Sequence, residues 1–381
     1  MEKQKICIIG GSLTGLVTAI SLAKLNCEID LMIDNANPTL KSNRTIAISE
    51  SNFDFISKLN ISQFLKKEMW SCSIMKLYTA KNKKFSKIFE LNNSNKQKKI
   101  LYIFENSKMM KLMMNKIKQI KSISVKNYKK VPSISSSGLL KSIKYNNNHS
   151  KYNLVIICTG YNSSLVKKLF NEQMIVNSYG ELAITTILNH SSFNNKTVRQ
   201  IFLDNEILAL LPISNTRTSI VWSVKKNMHK MSDLLLKKKI KLYAKNYLKK
   251  ITFESNIECK NLNFLIRNKY YQDRTLLFGD ALHVIHPFVG QGFNMILRDL
   301  ACLKKILSKK INLGLDIGSV DILSEFSSEA KPRNFAFSVS VDLLKNYFSY
   351  KKLSNNILKI LNKSNFAKDI FFDIANKGFK F

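Results

Sequence analysis

The first 34 residues restrict the possible folds more than any other part of the chain. Residues 5–9, KICII, are typical of a short buried strand, and they precede GGSLTG, a helical apolar pattern over 17–25 and an apolar run that ends on Asp34. This order is the signature of a βαβ unit that binds a dinucleotide. Gly10, Gly11 and Gly15 would let a pyrophosphate approach the backbone, and Asp34 would accept hydrogen bonds from a ribose. Ser12 replaces the middle glycine of the pattern, and its small side chain still permits that approach.

A second glycine-rich stretch, GDALHVIHPFVGQGFNMILRD, occupies residues 279–299 and directly follows an apolar run. We interpret it as a strand end that opens onto a ligand and leads into a helix whose first N–H groups favour anions. Such loops are often only turns. Here, however, the two glycine-rich stretches would converge on one extended ligand. The first would take the ADP end, and Asp280 with the amides near Gly290 and Gly292 would hold the ribityl chain and the ring, as FAD requires.

Composition indicates a globular chain with a strong basic excess. At 381 residues and 45% hydrophobic content, the sequence fits two domains or one large α/β domain with an insertion. The 61 Lys and Arg against 26 Asp and Glu give a formal charge of +35. The basic residues are spread over the whole chain, which favours compositional drift over a nucleic-acid partner. Weak attraction to anionic lipid is compatible with either explanation.

The six cysteines show no CxxC pairing and no metal-ligand spacing with the five histidines, so we expect no metal site. Several lie in apolar runs and have the character of small core residues in a reducing compartment. No signal peptide precedes Ile6, and no apolar run approaches the roughly 20 residues that span a bilayer. These features predict a cytoplasmic protein that is soluble or peripherally bound to a membrane.

The remaining patterns predict an α/β fold with an inserted sheet. Residues 101–114 indicate a strand that turns into a helix at Glu105, and 154–158 indicate a central strand that forms a hairpin with 142–145. Alternation from 179 to 225 predicts antiparallel strands. We therefore expect a Rossmann-like FAD-binding domain, an inserted antiparallel-sheet substrate domain and a helical C-terminus. The predicted segments are FAD-binding 1–73, 100–175 and 273–319, substrate-sheet 74–99 and 176–272, and C-terminal helices 320–381.

Two basic segments have an amphipathic pattern. Residues 232–251 predict a helix that covers the inserted sheet with its lysines in water, and lipid binding is the less favoured alternative. Residues 320–379 are helical in pattern, and the tail beyond 356 alternates apolar residues with lysines. That tail suits a membrane-surface helix and docking on the body of the protein about equally.

Several motifs together resemble the ubiquinone-biosynthesis hydroxylases, which are single-component, class A FAD-dependent aromatic monooxygenases. The motifs are GGSLTG, RTIAIS with Arg44, YIFEN at 102–106, VRQIFLDNEILALLPI at 198–213, VW at 221–222, the 279–299 stretch and DIGS at 316–319. They follow one another in the family's order over nearly the whole chain, and the pattern GDxxHxxxPxxGQGxN is highly specific to this flavoprotein group. The resemblance predicts an enzyme that hydroxylates the ring of a polyprenylated phenol in ubiquinone biosynthesis.

The resemblance also implies a mechanism and a set of site residues. NAD(P)H would reduce FAD, O₂ would add at flavin C4a, and the resulting hydroperoxide would deliver an electrophilic oxygen to the ring. Arg44 would lie near the cofactor and Asp280 at the ribityl chain. The residues that would shape the isoalloxazine pocket are Pro287, Gly290, Gln291, Gly292 and Asn294. Expected partners are the prenylated phenol, other quinone-biosynthesis proteins and the inner face of a membrane, without nucleic acid.

Three residues depart from the family's pattern: Ser12, Ser107, which follows Glu-Asn where an Arg is usual, and Thr159. Thr159 precedes Gly160 where the family has the aspartate of an Asp-Gly pair that is associated with both FAD and NAD(P)H. We expect FAD to bind nevertheless, with the handling of the reductant most affected. His283 and His286 are candidate bases, but buried histidines with satisfied partners are commoner, so no catalytic residue is assigned.

Two other functions are compatible with the sequence. One is a soluble catabolic aromatic hydroxylase, and the other is an FAD-binding subunit that has lost turnover and serves as a scaffold in a quinone-synthesis complex. Thr159 and Ser107 are the residues that favour the scaffold. A plain NAD-dependent dehydrogenase is disfavoured, because it would leave the 279–299 stretch without a role.

Overall fold

The structure, a computed structural model, describes residues 3–35, 42–61, 68–81, 84–92, 99–170, 174–287, 290–349, 364, 372–374 and 376–378. The helices are α1 (Leu13–Leu22), α2 (Glu50–Ile56), α3 (Asn106–Ile117), α4 (Ser164–Leu169), α5 (Asp233–Ala244), α6 (Gly292–Asn312) and α7 (Val320–Ser349). The strands are β1 (Lys5–Ile9), β2 (Glu28–Asp34), β3 (Thr45–Ser49), β4 (Trp70–Cys72), β5 (Ile74–Lys81), β6 (Lys84–Asn92), β7 (Leu101–Glu105), β8 (Ile123–Tyr128), β9 (Ser133–Ser137), β10 (Leu140–Tyr145), β11 (Asn148–Tyr152), β12 (Leu154–Ile157), β13 (Met174–Asn189), β14 (Thr197–Leu203), β15 (Glu206–Pro212), β16 (Arg217–Lys225), β17 (Thr252–Phe253), β18 (Glu258–Arg267), β19 (Tyr271–Gln272), β20 (Thr275–Leu277) and β21 (His283–Val284).

The first sheet is the dinucleotide-binding sheet that the N-terminal pattern predicts. Its six strands run in the order β19-β20-β12-β1-β2-β8, and every pairing is parallel except that of β19 with β20. All four residues of β12 are buried, because a central parallel strand is covered on both faces. The side chains of α1 and α6 pack into the same core as this sheet.

The predicted hairpin between 142–145 and 154–158 is wrong. β10 instead pairs with β11, with Ser142 opposite Lys151, and the turn between them places Asn146 at φ 48°. β12 leaves this meander and pairs with β1 and β20. The polar strand β11 tolerates a solvated position, whereas the continuous apolar run of β12 requires a buried one.

The inserted sheet is larger than predicted and is not wholly antiparallel. Its order is β21-β18-β13-β16-β15-β14-β5-β6, with β17 paired to β13, and β14 runs parallel to β5. One face packs under α5, with Leu236, Ile240 and Ala244 against a cluster that contains Trp222. The expected mixed α/β architecture is confirmed, whereas the segment boundaries stay a prediction.

A three-stranded sheet, β3-β7-β4, lies between the two larger ones. The predicted change from strand to helix at Glu105 is confirmed, since β7 ends on Glu105 and α3 begins on Asn106. Glu105 also pairs with Arg217 of the inserted sheet at 2.9 Å, and Thr45 Oγ1 lies 2.8 Å from Ser219 Oγ. These contacts fix the inserted sheet against β3 and β7.

The C-terminal region is helical in α7, and a short part of the tail packs on the body. Asn376 accepts a hydrogen bond from Ser51 N through its side chain at 3.0 Å and from Ser49 Oγ through its carbonyl at 2.9 Å. Docking is therefore confirmed for residues 372–374 and 376–378, while the tail residues 350–363, 365–371, 375 and 379–381 lie outside the described ranges. The predicted basic helix at 232–251 is shorter, ending at Ala244. Among the described helices, none combines the length and apolar composition that crossing a bilayer requires.

Candidate active site

The glycine-rich loop after β1 packs tightly against the end of β12. Gly10 has φ +134°, and a Cβ built on it would lie 2.8 Å from the carbonyl carbon and oxygen of Cys158. A Cβ on Gly15 would lie 1.9 Å from the carbonyl oxygen of Gly10, and one on Gly11 would lie 2.6 Å from Ile33 Cγ2. Side chains at these positions would clash, so the loop presents bare backbone at the carboxyl ends of the parallel strands.

The first turn of α1 is suited to binding an anion. Ser12 is the N-cap residue, its side chain makes no capping hydrogen bond, and the turn contains no acidic residue. The N–H groups and the positive end of the helix dipole therefore remain available to a pyrophosphate. Asp34 ends the neighbouring strand β2 at the same edge of the sheet, where a ribose would lie.

The two glycine-rich regions from opposite ends of the chain meet in space. Gly279 has φ +66°, and a Cβ on it would lie 2.6 Å from Thr14 Cγ2 on α1. Asp280 follows in the same turn and is half-buried. One ligand can therefore reach both the N-terminal loop and the 279–299 stretch, as the sequence predicts for a dinucleotide.

Three charged side chains from separate segments lie beside this junction. Burial lowers the pKa of Lys260, repulsion from Arg44 lowers it further, and the Asp280 carboxylate acts in the opposite direction. The segment that leads to Arg44 is held on β18, because Asn43 N donates to Glu258 Oε1 at 2.8 Å. Lys260 carries no distinguishing signal in a lysine-rich sequence, and the structure alone places it near Arg44 and Asp280.

The second half of the 279–299 stretch forms a loop that packs against β3. Gly290 has φ +66°, a Cβ on it would lie 3.2 Å from Ala47 Cβ, and its N–H donates to the carbonyl of Pro287 at 3.1 Å. Gln291 is 3% exposed, and neither amide atom of its side chain has a hydrogen-bond partner within the described part of the chain. α6 begins at Gly292 with no acid in its first turn. Because buried polar atoms normally have partners, Gln291 is a candidate to contact a bound group.

Asn294 is fully buried, and its side chain is saturated with protein partners. Its Oδ1 accepts from Ser49 N and from Asn52 Nδ2, each at 2.8 Å, while its Nδ2 donates to the carbonyls of Ala47 at 3.0 Å and Gly290 at 3.2 Å. These contacts connect the start of α6 to β3 and α2. Asn294 therefore positions the loop through its side chain and has no amide group left over for a ligand.

Thr159 follows β12 at the edge where the Gly10 loop lies. Its Oγ1 lies 2.8 Å from Ser163 Oγ, and Ser163 caps α4 by accepting from Val166 N at 3.2 Å. A Cβ built on Gly160 would have nothing within 4 Å. An aspartate at this position, as in the family's pattern, would place a negative charge where this chain has the uncharged hydroxyl group of Thr159.

His283 belongs to a buried hydrogen-bond network. Its Nε2 lies 2.8 Å from Asp299 Oδ2, and Asn334 Nδ2 donates to the same carboxylate at 2.9 Å. His283 and Asp299 are 2% and 5% exposed at the side chain, so the pair links β21 to α6 inside the protein. This arrangement is that of a structural histidine with satisfied partners.

His286 occupies a different position, between the loop, the inserted sheet and α7. Its Nε2 lies 3.0 Å from Glu181 Oε2, and Lys345 Nζ lies 2.7 Å from Glu181 Oε1. Burial lowers the pKa of His286, although Glu181 opposes this shift. Burial raises the pKa of Glu181, but hydrogen bonds from His286 and Lys345 outweigh it and leave that pKa below its usual value. The neutral imidazole donates from Nε2, while its buried Nδ1 has no partner within the described ranges.

One face of the inserted sheet looks towards the glycine loops. Strand alternation places Ser219 and Val221 on the face that contacts Thr45, opposite the face that holds Trp222. Val221 lies between Thr185 of β13 and Ala209 of β15 in register. These three side chains are half-buried and small, and they form a surface on which a planar ring could lie.

These features fit FAD: bare glycine backbone at two points of contact, uncapped helix starts and the unpartnered amide of Gln291. The described residues contain no group of three or more His, Cys, Asp or Glu side chains placed to hold a metal ion.

Comparison with known proteins confirms the fold. The p-nitrophenol 4-monooxygenase PnpA of Pseudomonas putida superposes with a TM-score of 0.80 at 12% identity, covering 100% of both chains. The P. aeruginosa protein PqsL, in complex with 2-aminobenzoylacetate, gives a TM-score of 0.80 at 13% identity over 95% of this chain and 100% of its own. HpxO of Klebsiella pneumoniae, complexed with FAD and uric acid, gives 0.77 at 11% identity over 98% and 97%. The chain thus has the same fold as these three proteins.

The sequence matches the FAD binding domain family over residues 3–336, and the chain belongs to that family. Its relatives include the mitochondrial ubiquinone biosynthesis monooxygenase COQ6 of Caenorhabditis elegans, which is 25% identical over 88% of this chain and 86% of the relative. COQ6 of Dictyostelium discoideum is 24% identical over 97% and 88%. The ubiquinone hydroxylase UbiL of Rhodospirillum rubrum is 29% identical over 45% and 41%. The resemblance to ubiquinone-biosynthesis hydroxylases is confirmed, with FAD as the cofactor and NAD(P)H and O₂ as the co-substrates typical of the class.

Proposed function

We propose that this enzyme hydroxylates the aromatic ring of a prenylated phenol in ubiquinone biosynthesis. The observation that carries the proposal is the contact of Gly279 with Thr14, which joins the two glycine-rich regions into one site beside the inserted sheet. The names of the relatives from C. elegans and D. discoideum support the choice of pathway.

The N-terminal loop would hold the ADP end of FAD. Gly10, Gly11 and Gly15 leave the backbone open to the pyrophosphate, and the start of α1 at Ser12 supplies N–H groups and a positive dipole. Asp34 would accept hydrogen bonds from the adenosine ribose.

The 279–299 stretch would hold the flavin end. Asp280 would bind the ribityl chain, and Pro287, Gly290, Gln291 and Gly292 would line the isoalloxazine ring, with Asn294 fixing the loop. Arg44 and Lys260 would place positive charge beside the bound flavin and so favour negative charge on it. When bound, FAD supplies the reaction with O₂ and the transfer of one oxygen atom, and the protein orients the substrate and excludes water.

The substrate ring would lie on the surface formed by Thr185, Val221 and Ala209. His286 would act on the substrate's hydroxyl group, because Glu181 orients its imidazole and leaves the buried Nδ1 as an acceptor. A phenolic O–H is a suitable donor for that atom, and withdrawal of its proton makes the ring more nucleophilic. NAD(P)H binding would involve Thr159 and Gly160. The hydroxyl group of Thr159 would then replace the carboxylate that the family's aspartate has at this position.

Deletion of the gene in its host, followed by identification of the accumulating quinone precursor, tests this function. We expect a prenylated phenol lacking one ring hydroxyl to accumulate, and the normal quinone to return on re-expression of the chain. Re-expression of a Val221→Phe variant should fail to restore it, because the larger side chain would occupy the ring surface. An unchanged quinone pool in the deletion strain would refute the pathway. If re-expression of a variant that binds FAD but lacks turnover also prevented the precursor from accumulating, the chain would instead act as a scaffold subunit.

A further inference from the structure

The helix α5 has two dissimilar faces. Its inner face carries Leu236, Ile240 and Ala244, which are at most 2% exposed and pack under the inserted sheet. This packing fixes the orientation of the helix. The side chains on the opposite face of the helix are therefore held on the protein surface.

The outer face of α5 carries three leucines among lysines. Leu234, Leu235 and Leu242 are 63%, 47% and 44% exposed. Lys238, Lys241 and Lys245 are exposed on the same side. At about 100° per residue, these six side chains fall within an arc of about 120° that lies opposite Ile240. Asp233, the acidic residue of this fully described helix, projects from the side of Ile240.

We infer that the outer face of α5 docks on an anionic lipid bilayer. Leucines that alternate with lysines are suited to the lipid interface, where the apolar side chains enter and the ammonium groups remain among the headgroups. The formal charge of +35 adds long-range attraction to a negative surface. The choice of a bilayer over an acidic protein rests on the proposed function, because a prenylated phenol resides in a membrane.

The residues just before α5 contribute to a cavity that also involves a residue of the proposed site. A cavity of about 440 Å³ is lined by Tyr179, Glu181, Asn205 and residues 225–227, only a few residues before α5 begins. Glu181 is also the partner of His286 in the flavin loop. The cavity therefore connects the segment before α5 with the carboxylate that pairs with His286, while α5 itself covers the face of the sheet opposite the proposed ring surface.

Co-sedimentation with lipid vesicles tests the inference, using the full chain loaded with FAD. We expect the wild type to bind vesicles that contain phosphatidylglycerol, to bind pure phosphatidylcholine vesicles far less, and to dissociate as salt is raised. The variant Leu234→Ser/Leu235→Ser/Leu242→Ser should bind the anionic vesicles at least about tenfold more weakly, because burial of apolar side chains supplies the salt-resistant part of the affinity.

Matched controls separate this surface from general effects. Leu139, Leu313 and Leu315 are 82%, 63% and 45% exposed elsewhere, so changing these three to Ser should leave vesicle binding unaltered. The α5 variant should keep its FAD content, its melting temperature and its activity on a water-soluble short-chain phenol without vesicles. Wild-type vesicle affinity in the α5 variant, or no binding of the wild type to anionic vesicles, would overturn the inference. If the wild type had no activity on the soluble phenol, the proposed function would be refuted instead.

Discussion

The contact between Gly279 and Thr14 gives a direct prediction, because it joins the two halves of the FAD site. Changing Gly279 to Ala would place a Cβ 2.6 Å from Thr14 Cγ2, at a backbone φ of +66°. The left-handed backbone costs Ala about 1 kcal/mol, and the steric overlap adds about 1–3 kcal/mol. We therefore expect Gly279→Ala to lose about 2–4 kcal/mol of stability. FAD affinity should fall with it, because the turn at Asp280 must shift.

A double-mutant cycle separates the overlap from the backbone strain. Removing Cγ2 by Thr14→Ala leaves the Thr14 Cβ at 3.4 Å from the added methyl group, an ordinary contact. The double variant should thus recover about 1–3 kcal/mol relative to the sum of the single changes. Gly138 is the matched control, since it has φ +59° with nothing within 4 Å of an added Cβ. Gly138→Ala should cost only the strain of about 1 kcal/mol and show no coupling to Thr14.

The assays are urea unfolding, for the apparent free energy of unfolding, and FAD titration followed by flavin fluorescence. Additive effects of Gly279→Ala and Thr14→Ala in both assays would show that the two glycine-rich regions do not touch. The site assembled from them would then be refuted.

Three further predictions concern other parts of the site. Asn294→Ala should lower the free energy of unfolding by at least about 2 kcal/mol, because it leaves the Ser49 N–H and two carbonyls buried without partners. Exposed Asn177→Ala should change it by less than about 0.5 kcal/mol in the same urea experiment. The pKa of His286 is held below its ordinary value of 6.5, so the unfolded chain binds this proton before the folded chain does as pH falls, and stability should drop below pH 6.5. His286→Gln should make the melting temperature less dependent on pH in this range. An unchanged pH dependence in the variant would contradict the lowered pKa of His286. Val221→Phe should abolish the stimulation of NAD(P)H oxidation by the phenol while FAD affinity stays normal. The control Val125→Phe, on β8 of the dinucleotide-binding sheet, should preserve both the stimulation and the FAD affinity. Full stimulation in Val221→Phe would show that the substrate ring binds elsewhere.

Local patterns predicted the parts of the fold in which neighbouring residues decide the structure. The βαβ unit and the change from strand to helix at Glu105 follow from short-range periodicity and glycine placement. The hairpin prediction for 142–158 failed because the choice of strand partner depends on burial by distant elements. β12 pairs with β1 on one side and β20 on the other, and no local pattern in the sequence encodes these two pairings.

The sequence located the glycines of the site but not the groups that complete it. Lys260, Glu181 and Thr14 reach the site through register and packing between segments far apart in the chain, and each lies in an ordinary local sequence. The roles of Asn294 and His283 also required the structure, because their partners at Ser49 and Asp299 identify them as groups that hold the protein together.

Incorporation of oxygen from ¹⁸O₂ tests the central claim most directly. Purified protein loaded with FAD is supplied with NAD(P)H, a prenylated phenol and ¹⁸O₂, and the products are analysed by mass spectrometry. We predict a phenol that carries one additional hydroxyl group with the ¹⁸O label on the ring. Oxidation of NAD(P)H that yields only hydrogen peroxide, with no labelled ring product from prenylated phenols of any chain length, would contradict it.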